Sequence, residues 1–361
     1  DQGQSRLGLP ALAGLFAASQ CPDLDGARLQ NRHLLQGVFR LAWMRDSAGL
    51  SRVNWRDMGP EELGSVYESL LELEPEVSLA ARRFAFAEGL SGNARKTTGS
   101  YYTPDSLVQV LLESAFEPVV QDTLASNPGR PSEALLGLSI VDPACGSGHF
   151  LLAAARRLAS HLARVESEGT PSAADYRHAL RRVVGRCIYG VDLNPMAVEL
   201  CKVALWMEAV EPGLPLGFLD AHIRCGNALL GATPELMEKG IPDEAWTAIE
   251  GDDKRTASSL KRQNKHEASG QLTMTSMWAR KTETEAAALK AAIAELEASP
   301  DTDHRALTKK EARWAELQAS EAWKLQHLVA DAWCAAFAWP MPEGGGLVAG
   351  VAPTNAVWRD L

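Results

Sequence analysis

The chain has 361 residues, 46% hydrophobic and 23% charged, with a formal net charge of −10. At roughly 100–200 residues per domain, this length predicts two domains or one with large insertions. The apolar fraction excludes wholesale disorder, and no run approaches the ~20 apolar residues of a membrane span. The acidic balance argues against attraction of the whole chain to nucleic acid and leaves room for a local basic patch. The six Cys (Cys21, Cys145, Cys187, Cys201, Cys225, Cys334) are scattered without a Cys-x-x-Cys pair. That argues against a zinc ribbon or disulfide framework and fits a reducing cytoplasm. The chain opens Asp1-Gln2-Gly3-Gln4, with no initiator Met and no signal-peptide pattern; it reads as part of a longer protein.

In chain order, residues 1–95 read as a helical domain. Leu29 to Met44 has helical periodicity, and Pro60-Glu61-Glu62 opens a second amphipathic segment with Leu63, Val66, Tyr67, Leu70 and Leu71, ended by Glu74-Pro75. Residues 91–100 are polar and glycine-containing, hence a loop. From 96 to 235 strands and helices alternate. A helix over Ser106–Phe116 precedes an apolar run, Leu135–Asp142; a glycine-rich turn leads to a helix over His149–Arg164. Cys187–Asp192 is a second strand, Met196–Val210 a helix, and His222–Leu229 a third strand. This order predicts βαβ units around a parallel sheet. Residues 236–280 read as a polar linker, 281–340 as a helical hairpin insertion about Pro300, and 341–361 as a Gly/Pro-rich tail.

The informative feature is Val141-Asp142-Pro143-Ala144-Cys145-Gly146-Ser147-Gly148-His149-Phe150, between a strand and a helix. Open α/β folds place ligands at that edge. Gly146 and Gly148 alone would fit any tight βα turn. The third glycine of a dinucleotide fingerprint is Leu151, and no Gly-Lys-Ser/Thr follows, so a P-loop is excluded. Three strand ends carry matching groups: Asp142, Asp192 and Asn227. A carboxylate at the second strand accepts from both ribose hydroxyls, and an Asn at the third accepts from an adenine amine. That division of labour suits a nucleoside cofactor without phosphate, such as S-adenosylmethionine.

Asp142-Pro143-Ala144-Cys145-Gly146-Ser147-Gly148-His149-Phe150 resembles motif I of the γ-type adenine-N6 DNA methyltransferases. Thr98-Gly99-Ser100-Tyr101-Tyr102-Thr103-Pro104 resembles their motif X, Gly190-Val191-Asp192-Leu193-Asn194-Pro195 motif II, and Cys225-Gly226-Asn227-Ala228-Leu229-Leu230 motif III, all in the family's order. Leu63–Leu71 is similar to the helical segment that precedes the methylase in large single-chain restriction-modification enzymes, a layout shared by BREX and DISARM phage-defence methylases. A looser likeness extends to residues 330–340. The resemblance implies a doubly wound, Rossmann-like, S-adenosylmethionine-dependent α/β core. It also implies that Tyr102 and Thr103 cover the methionine end of the cofactor, with Asp142, Ala144 and Gly146 around its amino and carboxylate groups. Asp192 would hold the ribose, Leu193 would pack on adenine, and Asn227 and Ala228 would meet the adenine edge. The implied partner is double-stranded DNA with its adenine flipped out, alongside other defence-system subunits.

The family methylates with Asn-Pro-Pro-aromatic, and this chain contains no Pro-Pro dipeptide. Asn194-Pro195-Met196 belongs to the second strand's turn, and Asn127-Pro128-Gly129 reads as an ordinary turn. No catalytic residue is therefore assigned. A fragment lacking the catalytic part and a non-catalytic scaffold that binds cofactor or DNA both fit; the first is favoured. The eight His form no metal-ligand spacing, so no metal is expected, and His149 and Cys145 read as packing or hydrogen-bonding residues. Among the basic clusters, residues 254–265 in a polar loop are the best DNA-backbone candidate.

Overall fold

The computed structural model describes residues 26–47, 49–55, 73–78, 80–88, 103–167, 170–211, 214–215, 217–269, 275–299, 303–345 and 350–361. The predicted helix of residues 60–71, the loop of residues 91–100 and Tyr102 lie outside them. The chain divides into two compact units, Asp1–Gly226 with Asp301–His304, and Asn227–Pro300 with Arg305–Leu361.

The N-terminal segment is not wholly helical. Helix α1 (Asn31–Ala42) stops short of the predicted end, and β1 (Trp43–Asp46) pairs antiparallel with β2 (Gly49–Arg52). Gly49 takes φ 131°, open to glycine alone, and so permits the tight return. A second hairpin joins β3 (Leu73–Ser78) and β4 (Arg83–Glu88). Arg83-Phe84-Ala85-Phe86-Ala87-Glu88 carries aromatic residues at period two, a strand signal that a search for helical spacing passes over.

The next stretch is one long helical rod: α2 (Asp105–Leu111), a π turn (Leu112–Phe116) and α3 (Glu117–Ser126). Asn127-Pro128-Gly129 is a turn, closed by the Arg130 N–H on the Asn127 carbonyl at 3.2 Å. The predicted strand from Leu135 is shorter than expected. Leu135 and Leu136 lie in α4 (Pro131–Leu136), and only Ile140–Asp142 is strand β5. A buried apolar run of that length fits a short helix as well as a strand.

Helix α5 (His149–Glu166), α6 (Ala173–Cys187), β6 (Ile188–Asp192), α7 (Pro195–Glu208) and β7 (Ile223–Cys225) complete the unit. The three strands are parallel in the order β5-β6-β7, with Ile140 opposite Ile188 and Gly190 opposite Ile223. The apolar face of α5 (Leu151, Leu152, Leu158, Leu162) is buried with Val183 and Leu180 of α6, Ile188 of β6 and Leu205 of α7. At roughly 1.5–3 kcal/mol per buried side chain, this cluster fixes the strand ends. Ser172 and Asp175 start α6 with reciprocal side-chain-to-backbone bonds of 3.2 and 2.8 Å.

Beyond β7 the chain is helical. The described residues of the predicted linker include the end of α8 (Pro234–Glu238), a 3₁₀ turn (Asp243–Trp246) and α9 (Lys254–Ser269). Its polar composition reflects a helix with a thin apolar stripe rather than a loop. The predicted hairpin is three helices, α10 (Thr275–Ala298), α11 (His304–Ala319) and α12 (Glu321–Ala335). Ser320 breaks the last two apart, its hydroxyl capping the Trp323 N–H at 3.3 Å. The tail, residues 341–361, contains α13 (Asn355–Arg359). Ile241, Trp246, Leu260, Val329, Met341 and Trp358 form the second unit's core.

Candidate binding site at the carboxyl ends of the strands

Both strand-end acids fold their loops locally. Asp142 Oδ1 accepts the Ala144 N–H at 3.0 Å, and Asp192 Oδ1 accepts the Asn194 N–H at 2.8 Å. Each is an Asx turn, in which a short carboxylate satisfies the amide two residues on. Asn194 then caps α7, its Oδ1 taking the Met196 N–H at 3.0 Å, with Pro195 at the first helical position. The expectation that Asn194-Pro195 serves the second strand's turn holds.

Asp192 also joins the two loops. Its Oδ2 accepts the Gly146 N–H at 2.9 Å, and its backbone carbonyl accepts the Gly226 N–H at 2.9 Å. The Cys145 N–H meets the Val191 carbonyl at 3.0 Å. Gly146 stands at φ 53°, with no atom within 4 Å of where a Cβ would lie, so the space above it is open. Gly148, at φ 92°, is a steric requirement instead: a Cβ would sit 2.7 Å from Cys201 Sγ. Cys145 and Cys201 form a buried thiol pair beneath the loop, and the hydrogen bond that the Cys201 thiol donates to Cys145, then burial, pushes the Cys201 thiol well up. This leaves Cys201 protonated and inert.

The loop faces negative charge. Burial, and then the neighbouring Asp192, raise the Asp142 carboxyl above the ordinary aspartate value, while the Ala144 N–H works the other way. Neither carboxylate forms an ion pair with a described residue. Leu193 is 63% and Met196 50% exposed beside Asp192, a pair of apolar side chains next to the acid. Ala144 is exposed and Thr103 half-buried. Asn227 and Ala228 open the second unit, where Asn227 Oδ1 accepts the Leu229 N–H at 3.0 Å.

Three features go beyond the sequence reading, which had His149 only as a packing or hydrogen-bonding residue. His149 Nε2 stands 3.9 Å from Asp105 Oδ1, linking the start of α5 to the start of α2. Lys202 is buried between Glu199 and Asp220, 2.7 Å from each. Burial opposes its charge, but Asp220 and Glu199 outweigh it and raise the ammonium above its usual value. Met196 is the third. The sequence signals were the i,i+3 spacing of Glu199 and Lys202, and an apolar residue directly after a capped Asn-Pro. Among the described residues no group of three His, Cys, Asp or Glu is arranged to hold a metal, and no helix is long and apolar enough to cross a membrane.

Residues 82–239 match the family model of the N-6 DNA methylases. This stretch of the chain is similar to that family. The matched segment takes in β4 through α8, and Asp142 and Asp192 lie within it. A protein from Methanocaldococcus jannaschii, named as a putative type II restriction enzyme and methyltransferase, is 26% identical over 270 residues, 63% of this chain and 21% of the relative. An adenine-specific methyltransferase of Streptomyces coelicolor, PglX, is 32% identical over 123 residues, 34% of this chain and 9% of the relative. DNA methyltransferase A of Bacillus subtilis is 22% identical over 191 residues, 49% of this chain and 20% of the relative. The chain thus spans about a fifth or less of the length of the curated relatives it matches. No solved structure matches it.

Proposed function

We propose that this chain binds S-adenosylmethionine at the carboxyl ends of β5 and β6, as the cofactor-binding part of an enzyme that methylates adenine N6 in DNA to mark host DNA in a restriction-modification or phage-defence system. One observation carries the ligand class. Two neighbouring carboxylates, Asp142 and Asp192, face an open glycine loop without a cationic partner among the described residues. A site of that charge repels phosphate and attracts a ligand carrying an ammonium and a sulfonium. Nucleotide cofactors held by their phosphates fit it poorly, and a phosphate-free nucleoside fits it well.

The residues divide accordingly. Asp142 takes the ammonium, with Ala144 and Gly146 around the amino-acid end and Thr103 covering it. Asp192 keeps a free lone pair on each oxygen after accepting the amides of Gly146 and Asn194, and those lone pairs take ribose hydroxyls. Leu193 packs on adenine, with Met196 extending the same apolar surface. The roles of Tyr102, Asn227 and Ala228 rest on the resemblance of their motifs. When bound, the cofactor supplies a methyl group activated by the sulfonium. The chain's own residues orient it and exclude none of the approach above Gly146. A doubly wound sheet, of which β5, β6 and β7 are the described part, is the arrangement this reading requires.

Titration calorimetry of this chain with S-adenosylmethionine tests the site, with Asp192→Ala expected to weaken binding about ten- to a hundredfold. Equal affinity for the two proteins would sink the assignment. N6-methyladenine in the genomic DNA of cells carrying the intact gene, and none after its deletion, tests the reaction.

A further inference from the structure

The basic run of residues 254–265, expected in a loop, lies on α9, and its geometry sorts the charges. Thr256, Ala257, Leu260 and Asn264 are buried, whereas Lys254, Arg255, Lys261, Arg262 and Lys265 are exposed. At 3.6 residues per turn the five cations fall within an arc of about 120°, nearly opposite the buried arc. None of the five forms an ion pair with a described residue. The nearby acids are already engaged. Asp253 caps the helix through the Thr256 N–H (2.8 Å) and hydroxyl (2.9 Å), Asp252 holds the amides of Ile249 (3.0 Å) and Met341 (3.1 Å), and Glu267 Oε2 holds the Ala356 N–H at 2.8 Å.

Such a face works against its own helix. Lys254 and Arg255 in the first turn oppose the helix dipole, and like charges three and four residues apart repel. Asp253 feels the charge of Arg255 without forming an ion pair with it, and a basic face of this kind on a chain of net charge −10 is a surface suited to an external polyanion. From Lys254 to Lys265 the helix rises about 16 Å. One strand of a B-form duplex presents about five phosphates over that length, one for each cation.

From this we infer that the exposed face of α9 is a binding surface for the sugar-phosphate backbone of duplex DNA, gripping it without reading its sequence. The surface lies beyond residues 82–239 that match the methylase model. It rests on the reading of DNA as substrate. The contacts are made by charge, with Ser258 exposed within the same arc.

The test is the affinity of this chain for a fluorescent duplex of arbitrary sequence, measured against salt concentration. The triple variant Lys261→Ala, Arg262→Ala, Lys265→Ala is expected to lower the slope of log affinity against log salt by about 3, equally on unrelated sequences. The charge-keeping variant Lys261→Arg, Arg262→Lys, Lys265→Arg is expected to retain the wild-type slope. Thermal melting of each variant, and calorimetry with S-adenosylmethionine, are expected to be unchanged, because the three side chains are exposed and the cofactor residues lie elsewhere. No binding of wild-type chain to DNA, an unchanged slope in the alanine variant, or tighter binding to anionic phosphatidylserine vesicles than to duplex would each overturn the assignment. None of these results touches the cofactor reading, which the Asp192→Ala calorimetry judges separately.

Discussion

Asp142 sets the sharpest expectation at the scale of single residues. Its carboxyl is raised by burial and by Asp192, so the folded chain holds this proton to a higher pH than the unfolded chain. The resulting stability is complete at acid pH and is lost as pH rises through the raised value, the reverse of an ion-paired aspartate. Asp142→Asn keeps an acceptor for the Ala144 N–H and removes the buried charge. Chemical denaturation at neutral pH should therefore find the variant slightly more stable, by less than about 1 kcal/mol, with the advantage disappearing in acid. Calorimetry should find the opposite sign for S-adenosylmethionine, about ten- to a hundredfold weaker, because a charge-assisted bond to the ammonium is gone. A residue that destabilises the empty protein and strengthens binding is the mark of a site rather than of a core. Cys187 makes the contrast: burial raises its thiol to about 11, it rests against the carbonyls of Leu135 and Leu136, and it has no ligand to meet.

Among the elements, the loop between β5 and α5 depends on one glycine more than the other. Gly148→Ala must hold φ 92° against its Cβ and intrude on Cys201 Sγ. Together these cost about 2–4 kcal/mol, which thermal melting would register as a large drop, while Gly146→Ala should lose less stability because the space above it is open. The sequence showed that two glycines follow a strand-end acid, but not which one packs and which one opens, because that division depends on Cys201 arriving from α7. It made the ends of β5 and β6 legible, since Asp142 and Asp192 act over two residues, whereas the third strand, read over His222–Leu229 with Asn227 at its end, spans only Ile223–Cys225. It failed where local signals were equivocal. The apolar Leu135-Leu136 pair serves a helix as well as a strand, the Arg83–Glu88 alternation was overshadowed by nearby helical spacings, and α9 was hidden by a stripe only three or four residues wide. The π turn Leu112–Phe116 carried no sequence signal at all. It delivers Glu117 to His161, 2.8 Å away, and although burial works against ionisation, bonds from Gln121 and His161 keep Glu117 below the usual glutamate value.

On the scale of the whole molecule, the second unit is fastened by side chains far apart in sequence. Asn355 is 1% and Asn264 0% exposed. Asn355 Oδ1 accepts the Ile241 N–H at 2.9 Å, and its Nδ2 donates to the Ile241 carbonyl at 3.0 Å and to Asn264 Oδ1 at 2.9 Å. Asn264 in turn accepts the Asn355 N–H at 3.0 Å and donates to the Ile241 carbonyl at 2.9 Å. Three segments, around residues 241, 264 and 355, thus close on one buried polar knot. Asn355→Ala orphans several of these groups at once and should destabilise the unit by about 2–3 kcal/mol or more in a denaturant titration. Asn355→Asp should not rescue it, because a carboxylate cannot donate to the Ile241 carbonyl. No pattern in the sequence pairs positions 114 residues apart; they meet because Ile241, Trp333 and Trp358 share one buried core, where Trp333 donates to the Gly240 carbonyl at 3.0 Å.

The double acceptance by Asp192 has a kinetic corollary. The amide hydrogens of Gly146 and Asn194 end on the two oxygens of one carboxylate. Their exchange with solvent deuterium is therefore governed by a single side chain, and both should slow together when a ligand immobilises it and both quicken together when it is removed. Two amides 48 positions apart in sequence would then behave as one probe, reporting occupancy of the loop without any label on the ligand.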